Sequence, residues 1–496
     1  MLSENKKYFD ACINTAEALY KEQLYDDCAG YIKKLATFAW QNFTGYYTCW
    51  KLENLLNRLG QRIPPLSTSV ISKKKDHNKL SVLHIASELY EVGGHTKLLF
   101  NWINLNKDNE HTLALTRQLE SNLHVKVKEE ISNSKITVLP LEGKDLEKAF
   151  QLKQIAQNYD KVVLHIHPND TIPIIAFSDE AFKPPVLFLN HADHAFWLGM
   201  SVTDCLIQIR ESNISIDKER RCADNQVFLP IPINENKNEN NKLNIDKESK
   251  VILLSTGAEY KYKPYKNFNF FEAAYQIVNT FEKAVFYIAG VSQENEYAQK
   301  YKHSRIFYLG NITNLHEYED ACDIYVESFP ISSFTAMLQP AMKGKYIQLM
   351  FQPFSTMKLF QDKEKYDLSY PESYDEWFCQ LSDVIKNLDQ REKKANRQYK
   401  YISQTYSITN WLTLLSSVYK SSEKLRHKVR ICARENKFYF SDNEELLDYG
   451  FTINHFEYCE NLGLFARLRQ IIVYLRFRTN KVGKVGKRRI FRFIFK

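Results

Sequence analysis

Long apolar runs are missing from this 496-residue chain. No stretch approaches the roughly 18 apolar residues that cross a bilayer, and the best run, Ile471 to Leu475, is far too short. The first residues, MLSENKKYFDACINTAEALY, lack the apolar core of a secretion signal. We therefore expect a cytoplasmic protein without a transmembrane helix.

Paired cysteines are also missing. The nine cysteines are scattered and form no CxxC motif, which argues against a zinc cage or a disulfide framework. Hydrophobic residues make up 44% and charged residues 25%, as in ordinary globular proteins. This composition excludes a fibrous repeat and a wholly disordered chain.

Acidic residues are absent from the C-terminal end. From Leu464 to Lys496 there is no Asp or Glu, whereas Lys and Arg number eleven, more than the net charge of +8. The rest of the chain is therefore net negative, and we predict no nucleic-acid partner. Apolar residues alternate with the basic ones after Val485, which predicts that 464–496 contacts an anionic membrane surface. A nucleic-acid-binding tail and a disordered solubilising tail are the alternatives.

The chain changes character along its length. Helical spacing of apolar residues predicts an N-terminal helical domain over 1–75. Two α/β segments follow at 80–233 and 251–420, joined by a polar linker at 234–250, and a C-terminal extension covers 421–496.

Short apolar runs separated by longer mixed segments predict parallel sheets built from βα units. The runs in the first segment are Val82–Ala86, Thr112–Leu115, Ile136–Leu139, Val162–Ile166, Val186–Leu189, Leu206–Ile209 and Val227–Leu229. Those in the second are Val251–Ser255, Val285–Ala289, Ile306–Leu309, Ile324–Val326 and Tyr346–Leu349. The fold class is thus α/β, with two tandem Rossmann-like domains whose ligands bind at the carboxyl ends of the strands.

Three motifs follow predicted strands and suit a phosphate. Gly93 and Gly94 lie between a strand and a helix, where backbone amides can face an anion. Lys261, Lys263 and Lys266 follow the first strand of the second segment. Ser332, Ser333 and Thr335 precede or begin a predicted helix ending near Met342. The structural alternatives are a tight turn, a solvated basic loop and plain helix capping.

The fourth motif is a cluster of histidines. Asn190, His191, Asp193 and His194 follow one predicted strand, and His165 and His167 end the strand before it. Such groups suit acid–base chemistry or hydroxyl binding. A metal site and a structural hydrogen-bond cluster are the alternatives.

Together these motifs resemble the GT-B glycosyltransferases of the glycogen-synthase-like group, over about residues 80 to 420. The resemblance implies that the chain transfers a sugar from a UDP- or GDP-sugar, without a metal ion or another cofactor. It places Gly93, Gly94 and Lys266 near the donor diphosphate, with Lys261 and Lys263 as rivals of Lys266.

The same resemblance assigns further roles. It places Gly310 and Asn311, within the segment YLGNI, beside the nucleobase. It places the hydroxyls of Ser332, Ser333 and Thr335 on the donor phosphates. It also makes His191 or His194 a sugar contact. It makes Tyr406–Tyr419 the closing helix, which returns toward the first domain.

One departure from the family pattern concerns its Glu-x7-Glu motif. The matching positions here are Ile331 and Gln339, and Glu327 lies four residues early. Gln339 can hydrogen-bond the donor ribose without charge assistance. Retaining and inverting chemistry therefore both stay open, and an inverting reaction would use Asp193 or His194 as its base.

The implied function is transfer of a sugar to a glycan or lipid-linked glycan acceptor. The resemblance places this reaction in bacterial surface polysaccharide synthesis, at the inner face of the cell membrane. Two alternatives stand beside it. One is glycosylation of a protein acceptor, in the manner of O-GlcNAc transferases. The other is a non-catalytic GT-B scaffold, which the replacement of both glutamates motivates.

Overall fold

The structure is a computed structural model that describes residues 2–65, 79–91, 94–233, 250–432 and 462–476. The chain forms two compact units. Of the described residues, the first unit contains those up to Ile209, Ile214–Phe228 and those from Ser416 onward. The second contains Arg210–Asn213 and Leu229–Leu415.

The first unit is built on a seven-stranded parallel sheet of order β3-β2-β1-β4-β5-β6-β7. Its strands are β1 (Ser81–Ala86), β2 (Glu110–Leu115), β3 (Thr137–Pro140), β4 (Lys161–His165), β5 (Val186–Asn190), β6 (Cys205–Gln208) and β7 (Gln226–Phe228). Strands β1, β4 and β5 are buried along their whole length, as expected of parallel strands covered on both faces. The strand order reverses between β1 and β4, as in a Rossmann fold.

Helices α1 to α8 lie in the part of the chain up to the end of this sheet. They are α1 (Leu2–Lys21), α2 (Tyr25–Gln41), α3 (Trp50–Gly60), α4 (Gly94–Leu105), α5 (Val125–Ser134), α6 (Asp145–Ala156), α7 (Ile172–Ala176) and α8 (Asn213–Arg221). We predicted a separate helical domain for the first three. In the structure, they share one hydrophobic core with the first sheet.

Two contacts show how closely the N-terminal helices approach the sheet. A Cβ on Gly60, the last residue of α3, would lie 2.5 Å from the carbonyl oxygen of Ile175 in α7. The buried carboxylate of Glu53 in α3 accepts hydrogen bonds from the amides of Gly199 (2.6 Å) and Met200 (3.1 Å). These helices are therefore built into the first unit.

The C-terminal residues also return to the first unit. Helix α15 (Ile408–Ser422) covers most of the predicted closing helix. The His427 ring then contacts the Asp204 carboxylate at 2.9 Å and the Phe177 carbonyl at 2.7 Å. Helix α16 (Leu464–Arg476) begins the basic tail. Gln470 of α16 contacts the hydroxyls of Tyr31 and Tyr8, both at 2.7 Å.

The second unit is built on a five-stranded parallel sheet of order β10-β9-β8-β11-β12. Its strands are β8 (Val251–Thr256), β9 (Ala284–Ala289), β10 (Ile306–Gly310), β11 (Ile324–Val326) and β12 (Tyr346–Gln348). Its helices are α9 (Phe270–Thr280), α10 (Glu296–Lys300), α11 (Leu315–Ala321), α12 (Leu338–Met342), α13 (Tyr374–Lys386) and α14 (Leu388–Tyr406). All twelve predicted strands are present, and the predicted α/β class with two Rossmann-like sheets is confirmed.

Several predicted features lie outside the described residues. They are residues 66–75 of the predicted N-terminal domain, most of the linker at 234–250, Gly93, residues 433–461 of the C-terminal extension, and the tail after Arg476. Within the described ranges, no helix is both long enough and apolar enough to cross a membrane. The eight cysteines in these ranges are free thiols.

Candidate functional site

The carboxyl ends of the parallel strands place the predicted site residues at one edge of each sheet. Ligands of such sheets bind where the strand order reverses. In the first unit this point lies between β1 and β4, and in the second between β8 and β11. Each unit therefore carries its own candidate site.

In the second unit, Lys261 lies at the reversal point. The loop after β8 carries Lys261 toward the segment after β11, where its Nζ donates a 3.0 Å hydrogen bond to the carbonyl of Ser332. Burial lowers the pKa of Lys261 to about 8. A partly desolvated ammonium of this kind interacts strongly with an anion, because little water competes.

The other two predicted lysines lie elsewhere on the loop. Lys263 is exposed. Lys266 is also exposed, in a tight turn closed by a 3.0 Å bond from the Tyr265 amide to the Phe268 carbonyl. Its φ of 51° is in the left-handed region, and its ammonium lies 5.2 Å from the Tyr265 ring centroid. Of the three lysines, the geometry brings Lys261 to the hydroxyl-rich segment, although spacing favoured Lys266.

The segment after β11 is held by a buried carboxylate. Glu327 accepts hydrogen bonds from the Ser332 hydroxyl and, at 2.9 Å, from the Met350 amide. Burial raises the pKa of Glu327 to about 7. The hydroxyl of Ser333 contacts the Tyr325 hydroxyl at 3.0 Å. The buried Glu327 carboxylate thus holds the segment after β11 in place through these two hydrogen bonds.

The predicted helix after these serines is shorter than expected. A 3₁₀ turn over Phe334–Met337, which contains Thr335, precedes the five-residue α12. Ser332 accepts a 2.8 Å bond from the Phe334 amide, so its hydroxyl has a structural role. Gln339 is half-buried, and Pro340 follows it within the first turn of α12, where a missing amide costs no helical bond.

Sequence reasoning missed one cation in this unit. Arg210 is buried and donates to the carbonyls of Thr356 (3.0 Å) and Lys358 (2.8 Å). Its guanidinium lies 4.4 Å from the Phe334 ring centroid, and the Lys261 ammonium lies 5.4 Å from the same ring. Two positive charges therefore lie close to the Phe334 ring. The only signal in the sequence was an arginine just after a predicted strand.

The predicted nucleobase segment lies at the end of β10. Gly310 has a φ of 63°, and its carbonyl accepts a 2.7 Å bond from the Gly290 amide. A Cβ on Gly290 would lie 2.1 Å from the Gly257 carbonyl oxygen, so only glycine fits there. The loops after β8, β9 and β10 are thus in direct contact, and Asn311 is exposed beside them.

In the first unit, the Gly-Gly motif is described only at Gly94, the first residue of α4. A Cβ at Gly94 would meet no atom within 4 Å in the described structure. Crowding by the protein therefore does not explain this glycine.

The loop after β5 carries His191, Asp193 and His194. The His194 ring lies 3.4 Å from the buried Asp193 carboxylate. The His191 ring stacks on His95 with centroids 5.3 Å apart, and burial lowers the pKa of His191 to about 3. The structure thus brings Asp193 and His194 together and places His191 against α4.

A buried ion pair holds this loop, and sequence reasoning missed it. Arg221 of α8 donates to the carbonyls of Asp193 (3.0 Å) and Ala195 (2.7 Å), and its Nε lies 2.8 Å from Asp217. The same Asp217 carboxylate accepts a 2.6 Å bond from Asn190. Asp217 and Arg221 are four residues apart on one helix, but the carbonyls that Arg221 holds lie more than twenty residues earlier, so only the tertiary structure reveals its contact with this loop.

Three further histidines form a buried chain. His165 Nε2 lies 2.9 Å from His84 Nδ1, His84 Nε2 lies 2.9 Å from His111 Nδ1, and His111 Nε2 lies 2.7 Å from the Asn106 carbonyl. A carbonyl can only accept, so neutral rings must all donate in one direction, from His165 toward Asn106. Burial lowers the pKa of each ring.

The histidines do not form a metal site in the described part of the chain. Among those residues, no group of three or more His, Cys, Asp or Glu side chains could hold a metal ion. The chain His165–His84–His111 agrees instead with the structural alternative of the sequence analysis.

The buried histidine chain predicts acid sensitivity. Because folding lowers these pKa values, the unfolded chain binds more protons below pH 6.5, and stability falls as the pH drops. Each such ring adds up to about 1.4 kcal/mol per pH unit. The variant His84→Leu should be less stable at pH 7.5, since it leaves two ring nitrogens unpaired, but its Tm should fall less between pH 7 and 5.

Thermal unfolding followed by circular dichroism at several pH values measures the slope of Tm against pH. The exposed His124, changed to Leu, is the matched control and should keep the parental slope. An unchanged slope in His84→Leu would show that these rings do not control acid stability.

The Glu327 carboxylate predicts a stability difference between two variants. Glu327→Ala leaves the Ser332 hydroxyl and the Met350 amide without this partner, so the free energy of unfolding should fall by about 2–4 kcal/mol. Glu327→Gln keeps an acceptor and a donor and should lose about 1 kcal/mol. Urea unfolding at pH 7 measures both, with the exposed Glu392→Ala as control. Equal stability of the alanine and glutamine variants would contradict this role.

Comparison with known proteins identifies the fold. No family profile and no curated protein sequence matches this chain. Solved structures do match. A glycosyltransferase from Rickettsia africae aligns with a TM-score of 0.54 and 11% identity, over 70% of this chain and 100% of that chain.

Two further structures align in the same way. Anabaena HepE in complex with UDP and glucose has a TM-score of 0.50 and 13% identity, over 70% of this chain and 100% of that chain. A Thermobaculum terrenum O-GlcNAc transferase mutant has a TM-score of 0.51 and 12% identity, over 85% of this chain and 82% of that chain. The chain therefore has the GT-B fold, as its resemblance to this class implied.

Proposed function

We propose that this protein is a glycosyltransferase that moves a sugar from a UDP- or GDP-sugar to a glycan acceptor. The observation that carries the proposal is the position of Lys261 at the strand-order reversal of the second sheet, 3.0 Å from the Ser332 carbonyl. The fold supports it, and HepE, which has the same fold, binds UDP and glucose.

The second unit would hold the donor diphosphate. Lys261 supplies a positive charge in a partly dry environment, and Arg210 adds a second charge beside the same Phe334 ring. Fixed charges of this kind stabilise a leaving diphosphate without solvent reorganisation. We therefore propose a reaction that needs no metal ion. Gly310 and Asn311 would contact the nucleobase, and Gln339 the ribose.

The first unit would supply the chemistry at the acceptor. Asp193 and His194 lie in contact on one loop, so either could take the proton of an attacking hydroxyl in an inverting reaction. The buried Arg221 holds the main chain of this loop at two carbonyls. Asp193 and His194 are therefore our candidates for the base, and His191 is a candidate sugar contact.

A protein acceptor is the second candidate function. The O-GlcNAc transferase structure aligns over 85% of this chain, whereas the Rickettsia and Anabaena structures align over 70%. The likeness to the O-GlcNAc transferase therefore covers a larger part of this chain. The N-terminal helices α1 to α3 would then present the polypeptide.

Donor binding should depend on Lys261. Removing its ammonium deletes a charge-assisted contact of about 1.5–3 kcal/mol, so Lys261→Ala should weaken UDP binding roughly ten- to a hundredfold. Isothermal titration calorimetry with UDP, GDP and their glucose conjugates measures this loss.

Lys302→Ala is the matched control, since it removes the same charge from an exposed residue that precedes the amino end of β10. Its affinity should equal that of the parent protein. If the parent protein binds none of these nucleotides, the non-catalytic scaffold replaces the enzyme as the best description. If Lys261→Ala binds as well as the parent, the assignment of Lys261 is wrong.

We also propose that α16 places the enzyme on the inner face of the cell membrane, for synthesis of a surface polysaccharide. One side of α16 packs on the N-terminal helices through Ala466, Gln470 and Val473, all buried. The other side is an exposed apolar stripe of Leu464, Leu468, Ile472 and Leu475, each between 42% and 66% exposed.

The basic residues of α16 support an anionic bilayer as the surface that the apolar stripe contacts. Arg467 and Arg469 are half-buried on this helix, Arg476 is exposed, and the sequence from Leu464 onward has no acidic residue. An apolar stripe beside basic residues is typical of helices that lie in a membrane interface.

The stripe should be needed for binding to anionic vesicles. Leu468→Ser with Ile472→Ser removes two exposed apolar side chains and should reduce partitioning about tenfold or more. Co-flotation with phosphatidylcholine vesicles containing phosphatidylglycerol measures it. The control is Val125→Ser with Leu388→Ser, which changes two exposed aliphatic residues on other helices. Equal flotation of the two double variants would argue against the membrane proposal.

A further inference from the structure

Five aromatic rings meet at the carboxyl edge of the first sheet, and we call them the ring cluster. They are Trp40 in the last turn of α2, Tyr90 after β1, His95 on α4, His167 after β4 and His191 after β5. The ring centroids of neighbouring members are 5.3–6.3 Å apart. The ring cluster therefore joins an N-terminal helix to the reversal point of the sheet.

The position of Trp40 is set by contacts of α2 with the loop after β4. The Thr37 hydroxyl, one turn before Trp40, accepts a 2.5 Å bond from Asn169. Trp40 then meets His167 edge to face, with centroids 6.3 Å apart and the planes at 89°. The Trp40 indole lies at the carboxyl edge of the first sheet because α2 packs into the first unit.

The five rings are partly exposed. Tyr90 is 41% exposed, and Trp40, His95, His167 and His191 are each half-buried. Partly exposed aromatic faces around a few polar atoms are typical of small-molecule sites. The C–H groups of a sugar ring carry slight positive charge and pack well against the negative face of an aromatic ring.

The ring cluster is also electrically neutral near pH 7. Burial lowers the pKa of His95 to about 4 and that of His191 to about 3, and it lowers the pKa of His167 as well. The charged groups that act on His167 and His95 are Arg117, Glu88 and Asp170.

These charges are engaged with other groups of the protein. Arg117 donates to the side-chain and main-chain oxygens of Asn169 and lies 3.9 Å from Asp170. Glu88 accepts the Tyr90 hydroxyl. The environment thus favours an uncharged ligand over a phosphate.

Two ring nitrogens in the ring cluster lack a hydrogen-bond partner among the described residues. They are His95 Nε2 and His191 Nδ1, and both are buried. His95 also makes a hydrogen bond to the main chain of Glu88, which occupies its donor nitrogen and leaves Nε2 with a lone pair. Buried polar atoms normally have partners, so these atoms point to a ligand that carries hydroxyl groups.

We propose that the ring cluster binds an uncharged sugar residue of the acceptor glycan, stacked on Trp40 and Tyr90 and hydrogen-bonded to His95 and His191. This inference rests on the proposed glycosyltransferase function and extends it. It makes helix α2 part of the acceptor site. It also predicts that the sugar residue of the acceptor bound there is uncharged.

Saturation-transfer NMR with methyl glycosides of glucose, galactose and N-acetylglucosamine tests the proposal on the full chain. At least one glycoside should bind the parent protein, and Trp40→Ala should weaken it at least fivefold. Trp40→Phe should retain part of the binding. Tyr90→Ala, at an exposed ring, should also weaken binding and covers the case in which Trp40→Ala fails to fold.

Tyr275→Ala is the control, because Tyr275 is an exposed ring on α9 of the second unit. Three results would overturn the proposal: no glycoside binds, Trp40→Ala and Tyr90→Ala bind as the parent does, or glucose 1-phosphate binds at Trp40 better than methyl glucoside.

Calorimetry with UDP separates this proposal from the assignment of the donor site. UDP affinity should be unchanged in Trp40→Ala, because we propose that UDP binds at Lys261 in the second unit, whereas the ring cluster binds the acceptor in the first. Loss of UDP binding in that variant would assign the ring cluster to the donor and would also overturn the proposal. Failure of Lys261→Ala to alter UDP binding would count against the donor site alone.

Discussion

Parallel pairing of β1 with β4 and of β8 with β11 is the constraint on which the rest of the structure depends. In the first unit, Ala86 pairs with His165, so the segments after both strands leave the sheet at the same edge. In the second, Leu254 pairs with Tyr325, and the Tyr325 hydroxyl reaches Thr256 at 2.8 Å. Lys261 and the ring cluster lie at these two points, where the strand order reverses and where ligands of such sheets bind.

Buried charged groups then give the strand-end loops their shapes. Glu327 holds the segment after β11, Arg221 with Asp217 holds the loop after β5, and Glu53 holds the turn at Gly199. Each charge is satisfied by several main-chain or side-chain partners, which offsets the cost of its burial. The proposed catalytic and binding groups are thus positioned by residues that need not touch a substrate.

The N-terminal helices connect the proposed acceptor site with the proposed membrane surface. Helix α2 supplies Trp40 to the ring cluster at its last turn, and Tyr31 of the same helix contacts Gln470 of α16. The helices that would bind a neutral sugar residue and an anionic bilayer therefore pack into one hydrophobic core. This arrangement suits an acceptor that is itself attached to a lipid.

The sequence by itself determined the twelve strands, the two sheets and the edge at which the site residues lie. Buried parallel strands read as continuous apolar runs, and the residues that follow them must meet at one edge. It could not choose among Lys261, Lys263 and Lys266, because the choice depends on a turn at Lys266 that spacing does not encode. Nor could it show Arg221, Glu53 or Trp40 as parts of a site. Apart from Asp217 beside Arg221, the groups that they contact at these sites are distant in the chain. Only tertiary packing, which buries a charge or a ring among groups from several elements, brings them together.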